Sequence, residues 1–173
     1  MKNFTFLTFL ALTLFVNFNT LAQKDNDKRK SPHTTVKQTL VSGAEISFFY
    51  GQPQVKGRTI GKDLEPKENE VWRVGADEAT VFETSKAVKI NGQNLPAGKY
   101  SFFTLTQNGE WTLIFNSKWD QWGAYDYKEK SDLLRVKVKP QMGNFTEKLT
   151  FTTNEKGEIS ILWGDLKIGF IIQ

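Results

Sequence analysis

The sequence contains no cysteine, and its only histidine is His33. The absence of cysteine excludes disulfide bonds, thiol catalysis and thiolate metal sites. His33 follows Ser31 and Pro32 and is expected to be an ordinary surface residue, so histidine-rich zinc sites and Ser-His-Asp catalysis lack parts unless it folds onto the domain. The chain also has no Asp-x-Asp-x-Asp-Gly calcium loop and no glycine-rich phosphate loop. These absences predict a protein without a metal or a cofactor.

Long apolar runs are also scarce, and the only one stands at the N-terminus. Lys2 precedes an apolar stretch over residues 4–18, and small residues follow it up to Ala22. The stretch is shorter than the ~20 apolar residues of a spanning helix and is typical of a secretory signal peptide. We predict a signal peptide over 1–22, cleaved after Ala22, and export to the periplasm or the cell exterior; an uncleaved N-terminal anchor is the alternative. The mature chain has no second stretch of membrane-spanning length.

Neither sign of charge dominates the chain. The formal net charge is +4, and lysines are spread among acidic residues, which indicates solubility rather than nucleic-acid binding. Residues 23–33 carry mixed charges and almost no apolar side chains, so they are predicted to be a disordered leader. The remaining residues, 34–173, have the size of a single domain.

From Val36 onward, apolar residues recur with the period of two that is typical of β-strands. Turn pairs such as Asn91-Gly92 and Asn108-Gly109 separate the runs, and helical periodicity is scarce. We predict an all-β, single-domain antiparallel β-sandwich of roughly ten strands, with a β-barrel-like jelly roll as the alternative. Tyr100 is expected to bond back to the preceding corner, as in a tyrosine corner. The predicted strands are 36–41, 45–50, 79–84, 87–90, 99–106, 110–116, 133–139, 147–153, 158–163 and 166–172.

Arginine is rare, and the residues around it suggest a site. Only four of the 23 basic side chains are arginine. Because the planar guanidinium can donate two parallel hydrogen bonds, we expect arginine at positions where such a two-point contact is needed. The stretch 72–80 places an aromatic residue, an arginine and two adjacent acids in a turn that enters a strand. Because adjacent strand residues point to opposite faces, each acid needs another partner to act as an acid-base pair. The candidate catalytic acids are Asp77, Glu78, Asp126 and Asp132. Internal salt bridges are the alternative role for these groups.

A long break in the strand pattern, residues 117–131, is rich in aromatic side chains. Trp119, Trp122 and Tyr125 alternate there with polar residues. Such rings can stack on sugar faces or on apolar ligands, while neighbouring polar groups orient the ligand. The alternative is a loop that folds its rings under itself as a satellite of the core.

Four ordered motifs give the chain a resemblance to a known family. They are YGQPQVKGR (50–58), VWRVGADEAT (71–80), LPAGKYS (95–101) and QWGAYDY (121–127). With these motifs the chain resembles the family catalogued as domain of unknown function 2911, over nearly all of its mature length. The resemblance implies an exported bacterial domain, and it implies no activity and no site residues.

The residue chemistry leaves three functions open. The favoured one is a noncatalytic binding module for a carbohydrate, a peptide or an anionic partner. The alternatives are a hydrolase that uses paired carboxylates with arginine assistance, and a structural or assembly protein. The partner is an unidentified small molecule, glycan or protein. The predicted binding residues are Arg58, Trp72, Arg73, Glu78, Trp119, Trp122, Tyr125 and Arg135.

Overall fold

The fold is known from a computed structural model that describes residues 25–26 and 28–173. The predicted signal peptide over 1–22 lies outside these residues, as do residues 23, 24 and 27 of the predicted leader. No helix within the described part is long and apolar enough to cross a membrane.

The described residues form eleven strands and one short 3-10 turn. In chain order they are β1 (His33–Thr39), β2 (Glu45–Gly51), β3 (Val71–Trp72), β4 (Ala76–Thr84), β5 (Val88–Ile90), β6 (Gln93–Leu95), β7 (Gly98–Gln107), β8 (Glu110–Asn116), the 3-10 turn (Glu129–Ser131), β9 (Asp132–Val138), β10 (Pro140–Thr152) and β11 (Glu158–Ile171). β3 and β6 are short strands that were not predicted.

The first layer is an antiparallel sheet with the strand order β1-β2-β4-β7-β8-β9. β3 and β4 both pair with β7, one after the other along the same edge. A two-residue turn joins β7 to β8, with φ of 52° at Asn108 and 75° at Gly109. Positive φ at both positions is what a type I′ hairpin requires, and the Asn-Gly pair provides it.

The second layer consists of the long hairpin β10-β11, and β5-β6 extends it. Lys89 and Gln173 exchange two backbone hydrogen bonds, of 2.6 and 2.9 Å, which attach β5 to the C-terminal end. The layers pack face to face and do not close, so the predicted sandwich is confirmed and the barrel alternative is wrong.

An aromatic core joins the two layers. On β2, Phe48 points inward and Phe49 outward, as strand alternation requires. Phe48 stacks on Phe151 of β10 with 4.8 Å between ring centroids, and Phe102 of β7 stacks on Phe170 of β11 at 6.1 Å. Because both layers contribute rings to one continuous core, the sandwich is stabilised without any disulfide.

Local details confirm one prediction and correct another. The Tyr100 hydroxyl donates to the Pro96 carbonyl over 2.8 Å, so the tyrosine corner is present. The sequence predicts two strands separated by a turn at Gly164-Asp165, whereas β11 runs through this point without interruption. Gly164 has φ of 55° and pairs with Thr146 between two register shifts of β10. A Cβ at position 164 would also collide with the Ile60 side chain. Glycine at this position therefore allows both the β-bulge and the close contact with Ile60.

Replacing a core ring tests the role of the interlayer contact. Phe102→Ala is expected to lower the free energy of unfolding by about 3–5 kcal/mol, because it removes a fully buried ring and leaves a cavity. Phe145→Ala is the matched control, since Phe145 is 59% exposed and its loss should change stability by less than about 1 kcal/mol. Urea denaturation measures both, and equal losses would contradict the assignment of the core.

Candidate functional site

The candidate site lies on the outer face of the first layer. Ser47 and Phe49 of β2 and Val81 of β4 face away from the core there, because they alternate with inward-facing residues. The segment 117–131 crosses this face, and its Gln121 carbonyl accepts a hydrogen bond from the Ala79 N–H at 3.0 Å. Between the segment and β1-β2 a groove of about 530 Å³ remains, called the outer groove here. Its lining is Thr35, Lys37, Ser47, Phe49, Glu78, Ala79, Val81, Glu83, Lys99, Trp119, Asp120 and Gln121.

Buried amide and hydroxyl groups hold one wall of the outer groove in place. Gln121 is 8% exposed, and its Nε2 donates to the Lys118 carbonyl at 2.5 Å. The Ser101 hydroxyl donates to the same carbonyl at 2.7 Å. Asn116, which is fully buried, donates to the Lys128 carbonyl at 3.1 Å. The bonds from Ser101 and Asn116 tie the two ends of the segment to β7 and β8, and the bond from Gln121 fixes the turn between them, so the rings are presented on a fixed backbone.

Trp119 forms the aromatic wall of the outer groove. Its side chain is partly exposed, at 45%, and the Lys99 ammonium lies 5.3 Å from the ring centroid. Phe49, at 38% exposure, lies in the same lining. Half-exposed rings beside charged groups can contact the apolar face of a ligand while its polar edge is hydrogen-bonded.

Glu78 lies at one end of the outer groove and holds the N-terminal segment. Arg29 donates to both Glu78 carboxylate oxygens, each at 3.2 Å, and His33 Nε2 lies 2.7 Å from Oε2. The His33 ring also packs against Phe49, with 4.7 Å between centroids. Burial would raise the pKa of Glu78, but hydrogen bonds from its own backbone N–H, from His33 and from Arg29 outweigh burial and hold the pKa below its ordinary value.

The corner before β4 has an unusual backbone. Val74 is fully buried and has φ of 51°, and Asp77 has φ of 64°, so both adopt the left-handed region that side chains disfavour. The Thr80 hydroxyl stabilises the corner by donating to the Val74 carbonyl at 2.8 Å. Adjacent acids were expected to point to opposite faces, yet the carboxylates of Asp77 and Glu78 both contact Arg29, at 3.5 and 3.2 Å. The positive φ of Asp77 breaks the alternation and accounts for the difference.

Asp132 belongs to a separate network, away from the outer groove. Its side chain is 4% exposed and accepts hydrogen bonds from Arg135 at 2.7 Å, from Tyr127 at 2.6 Å and from Asn116 at 2.7 Å. Burial and the neighbouring Asp132 carboxylate raise the pKa of Tyr127. Asp132 and Arg135 are thus paired with each other, away from the outer groove.

The other predicted site residues lie in several places. Trp72 is buried and packs edge to face on Trp111, so it stabilises the core instead of facing a ligand. Arg58 donates to the carbonyls of Val55 and Gln54, close to the second layer. Arg73 Nη1 lies beside Gly123, and among the described residues no carboxylate pairs with its guanidinium. Trp122 and Tyr125 are exposed outside the groove lining, and Asp126 lines a neighbouring hollow.

Of the predicted binding and catalytic residues, Glu78 and Trp119 line the outer groove, together with Asp120 and Gln121 among the polar neighbours of the aromatic rings. Phe49 was missed, although its outward position on an alternating strand could have revealed it. Arg29 and His33 were missed because they fall within the predicted leader, and nothing local in the sequence indicates that they reach Glu78. Within the part of the chain that the structure describes, no three His, Asp or Glu side chains converge as metal ligands do.

Comparison with known proteins gives one match. The sequence model of a family described as "Protein of unknown function (DUF2911)" matches residues 31–172. The chain belongs to this family. The matched region includes His33, Glu78 and Trp119, and Arg29 precedes it. No curated protein and no solved structure matches the chain.

The low pKa of Glu78 predicts a specific dependence of stability on pH. A carboxyl whose pKa is lower in the folded than in the unfolded chain contributes stability above its unfolded pKa and loses it as the pH falls through the folded pKa. The stability difference between wild type and Glu78→Gln should therefore be largest near about pH 7 and shrink toward about pH 3. Urea denaturation at intervals over this range measures it, and a difference independent of pH would contradict the ion pairs at Glu78.

The Asp132 network predicts unequal roles for two of the candidate acids. Asp132→Ala removes the acceptor of three hydrogen bonds and should lower the free energy of unfolding by at least about 1.5–3 kcal/mol, the range for one hydrogen bond to a charged group. Asp126→Ala, at an exposed position, should change it by less than about 0.5 kcal/mol. Urea denaturation compares the two variants. A small effect of Asp132→Ala would show that the network is not structural.

Proposed function

We propose that the protein is an exported, noncatalytic binding module whose outer groove holds a carbohydrate. The single observation that supports this most is the partly exposed Trp119 ring on a backbone fixed by buried amides, above a groove with polar groups along its edges. A sugar ring has an apolar face that stacks on indole and a rim of hydroxyls that bonds to carboxylates, amides and ammonium groups. The signal peptide expected over 1–22 supports export.

The charges of the groove support a neutral or mixed ligand over an anionic one. Three acids, Glu78, Glu83 and Asp120, line the groove together with two lysines, Lys37 and Lys99. The predicted anion-binding arginines are elsewhere: Arg58 contacts backbone carbonyls and Arg135 contacts Asp132. Apart from Glu78, which Arg29 pairs, an anion would meet Glu83 and Asp120 beside two lysines, of which Lys99 already pairs with Glu83.

Hydrolysis by paired carboxylates has less support. Asp77 and Glu78 contact Arg29, and Asp132 contacts Arg135, so three of the four candidate acids already have an arginine partner. A general acid at neutral pH needs a raised pKa, whereas the pKa of Glu78 is lowered. A purely structural role would not account for the exposed Trp119 ring over an open groove.

Retention on insoluble polysaccharides tests the proposal. The mature chain is incubated with peptidoglycan, cellulose, xylan and chitin, and the bound fraction is measured. Trp119→Ala should weaken retention about tenfold, because the loss of one stacking contact costs roughly 1–1.5 kcal/mol. Trp122→Ala is the matched control: an exposed tryptophan of the same segment that does not line the groove.

Two outcomes would contradict the proposal. One is a wild-type chain that none of the four polysaccharides retains, and the other is equal retention of wild type and Trp119→Ala. Urea denaturation of both tryptophan variants confirms that the fold is kept. Soluble sugars released from the polysaccharides, if their release depends on Glu78, would favour the hydrolase instead.

A further inference from the structure

The N-terminal segment folds back onto the end of the outer groove. Asn26 and His33 exchange two hydrogen bonds, from Asn26 Nδ2 to the His33 carbonyl at 3.0 Å and from the His33 N–H to Asn26 Oδ1 at 2.5 Å. His33 opens β1, so the fold-back places Arg29 beside β4. Residues 28–33 are called the N-terminal strap here.

The strap makes hydrogen bonds to both carboxylate oxygens of Glu78. Arg29 Nη2 bonds to Oε1, while Arg29 Nη1 and His33 Nε2 both bond to Oε2. The other groove acids differ, because Glu83 contacts only Lys99, at 3.5 Å, and no ion pair forms at Asp120 among the described residues. Glu78 is therefore the groove carboxylate at which a ligand competes with the strap for the carboxylate oxygens.

The ion pair between Arg29 of the strap and Glu78 is partly open to water, so a ligand can compete with it. The side chains of Arg29 and Glu78 are each 33% exposed, and ion pairs with such exposure are screened by water and salt. Glu78 itself is fixed, because its strand pairs with β2 and β7 and the Trp122 backbone bridges to it. At the other end of the strap, His33 pairs with Gly51 and the Pro32 carbonyl accepts from the Gln52 N–H. Displacement therefore concerns the Arg29 end of the strap, and the carboxylate stays in position.

We propose that the N-terminal strap is an autoinhibitory element that masks Glu78, and that ligand binding in the outer groove displaces it. The group that replaces Arg29 must itself be a hydrogen-bond donor, such as a sugar hydroxyl or ammonium, because an ionised carboxylate only accepts. The masking of a binding residue rests on the proposed function, whereas the attachment of the strap to Glu78 does not. The two parts are tested separately.

Limited trypsin digestion tests the attachment. Trypsin cleaves after Lys28, Arg29 and Lys30, and a segment held in place is cleaved only when it opens locally. Glu78→Gln leaves these cleavage sites intact but removes the carboxylate that makes the shorter of the two ion pairs with Arg29, so cleavage in the strap should become at least about fivefold faster. Glu83→Gln, a groove variant that does not contact the strap, should be cleaved like wild type. Mass spectrometry follows the products, and equal rates for wild type and Glu78→Gln would overturn the strap.

Retention of a strap variant tests the masking. Arg29→Ala removes two of the three hydrogen bonds that the strap makes to Glu78 and leaves the one from His33. A polysaccharide that retains wild type, among the four named above, should therefore retain this variant severalfold more strongly. Arg29→Ala combined with Glu78→Gln should lose the gain. Unchanged retention of Arg29→Ala would overturn the masking. If no polysaccharide retains wild type, the proposed function fails, while the trypsin result still decides whether Glu78 holds the strap.

Discussion

The stacking of Phe48 on Phe151 is the contact on which the rest of the structure depends. No disulfide crosses the sandwich, so the two layers are held by rings that meet face to face between them. Phe102 and Phe170 extend the same contact. This use of the inner face has a consequence for function: the buried rings between the layers are occupied in packing, whereas the outer groove lies on the opposite face of the first layer.

One wall of the outer groove is formed by a segment that packs on a small apolar cluster of the first layer, separate from the interlayer core. Residues 117–131 lack strand pairing along most of their length. They are attached to the first layer by the Gln121 carbonyl, which accepts from the Ala79 N–H, by Ser101 and Asn116, and by the packing of Tyr127 on Phe103. On the other side, the strained corner at Val74 and Asp77 turns two carboxylates toward Arg29. Strained backbone of this kind persists only where surrounding contacts stabilise it. Here the hydrogen bond from the Thr80 hydroxyl and the pairing of β4 with β2 stabilise the corner. Fold and site are therefore coupled through β4.

The sequence predicts the fold better than the site, for a physical reason. Alternation is a local property, so the outward position of Phe49 and most strand positions follow from the pattern alone. The tyrosine corner at Tyr100 is equally local, since donor and acceptor lie four residues apart. In contrast, the contact between Arg29 and Glu78 spans 49 positions and depends on how β1 pairs with β2. Trp72 shows the same limit, because its burial is set by Trp111 on a distant strand.

Arginine side chains make specific structural contacts in this protein, whereas the neighbouring lysines of the strap are exposed to water. The expectation that arginine marks places needing a planar fork agrees with Arg58, which bonds to two backbone carbonyls, and with Arg135, which bonds to Asp132 and Tyr127. Three consecutive residues of the N-terminal strap show this difference between arginine and lysine. Lys28 and Lys30 are exposed, while the arginine between them bonds to both oxygens of Glu78. An ammonium cannot reproduce this two-point contact, so the arginine is what gives an otherwise solvated basic segment a fixed position on the groove.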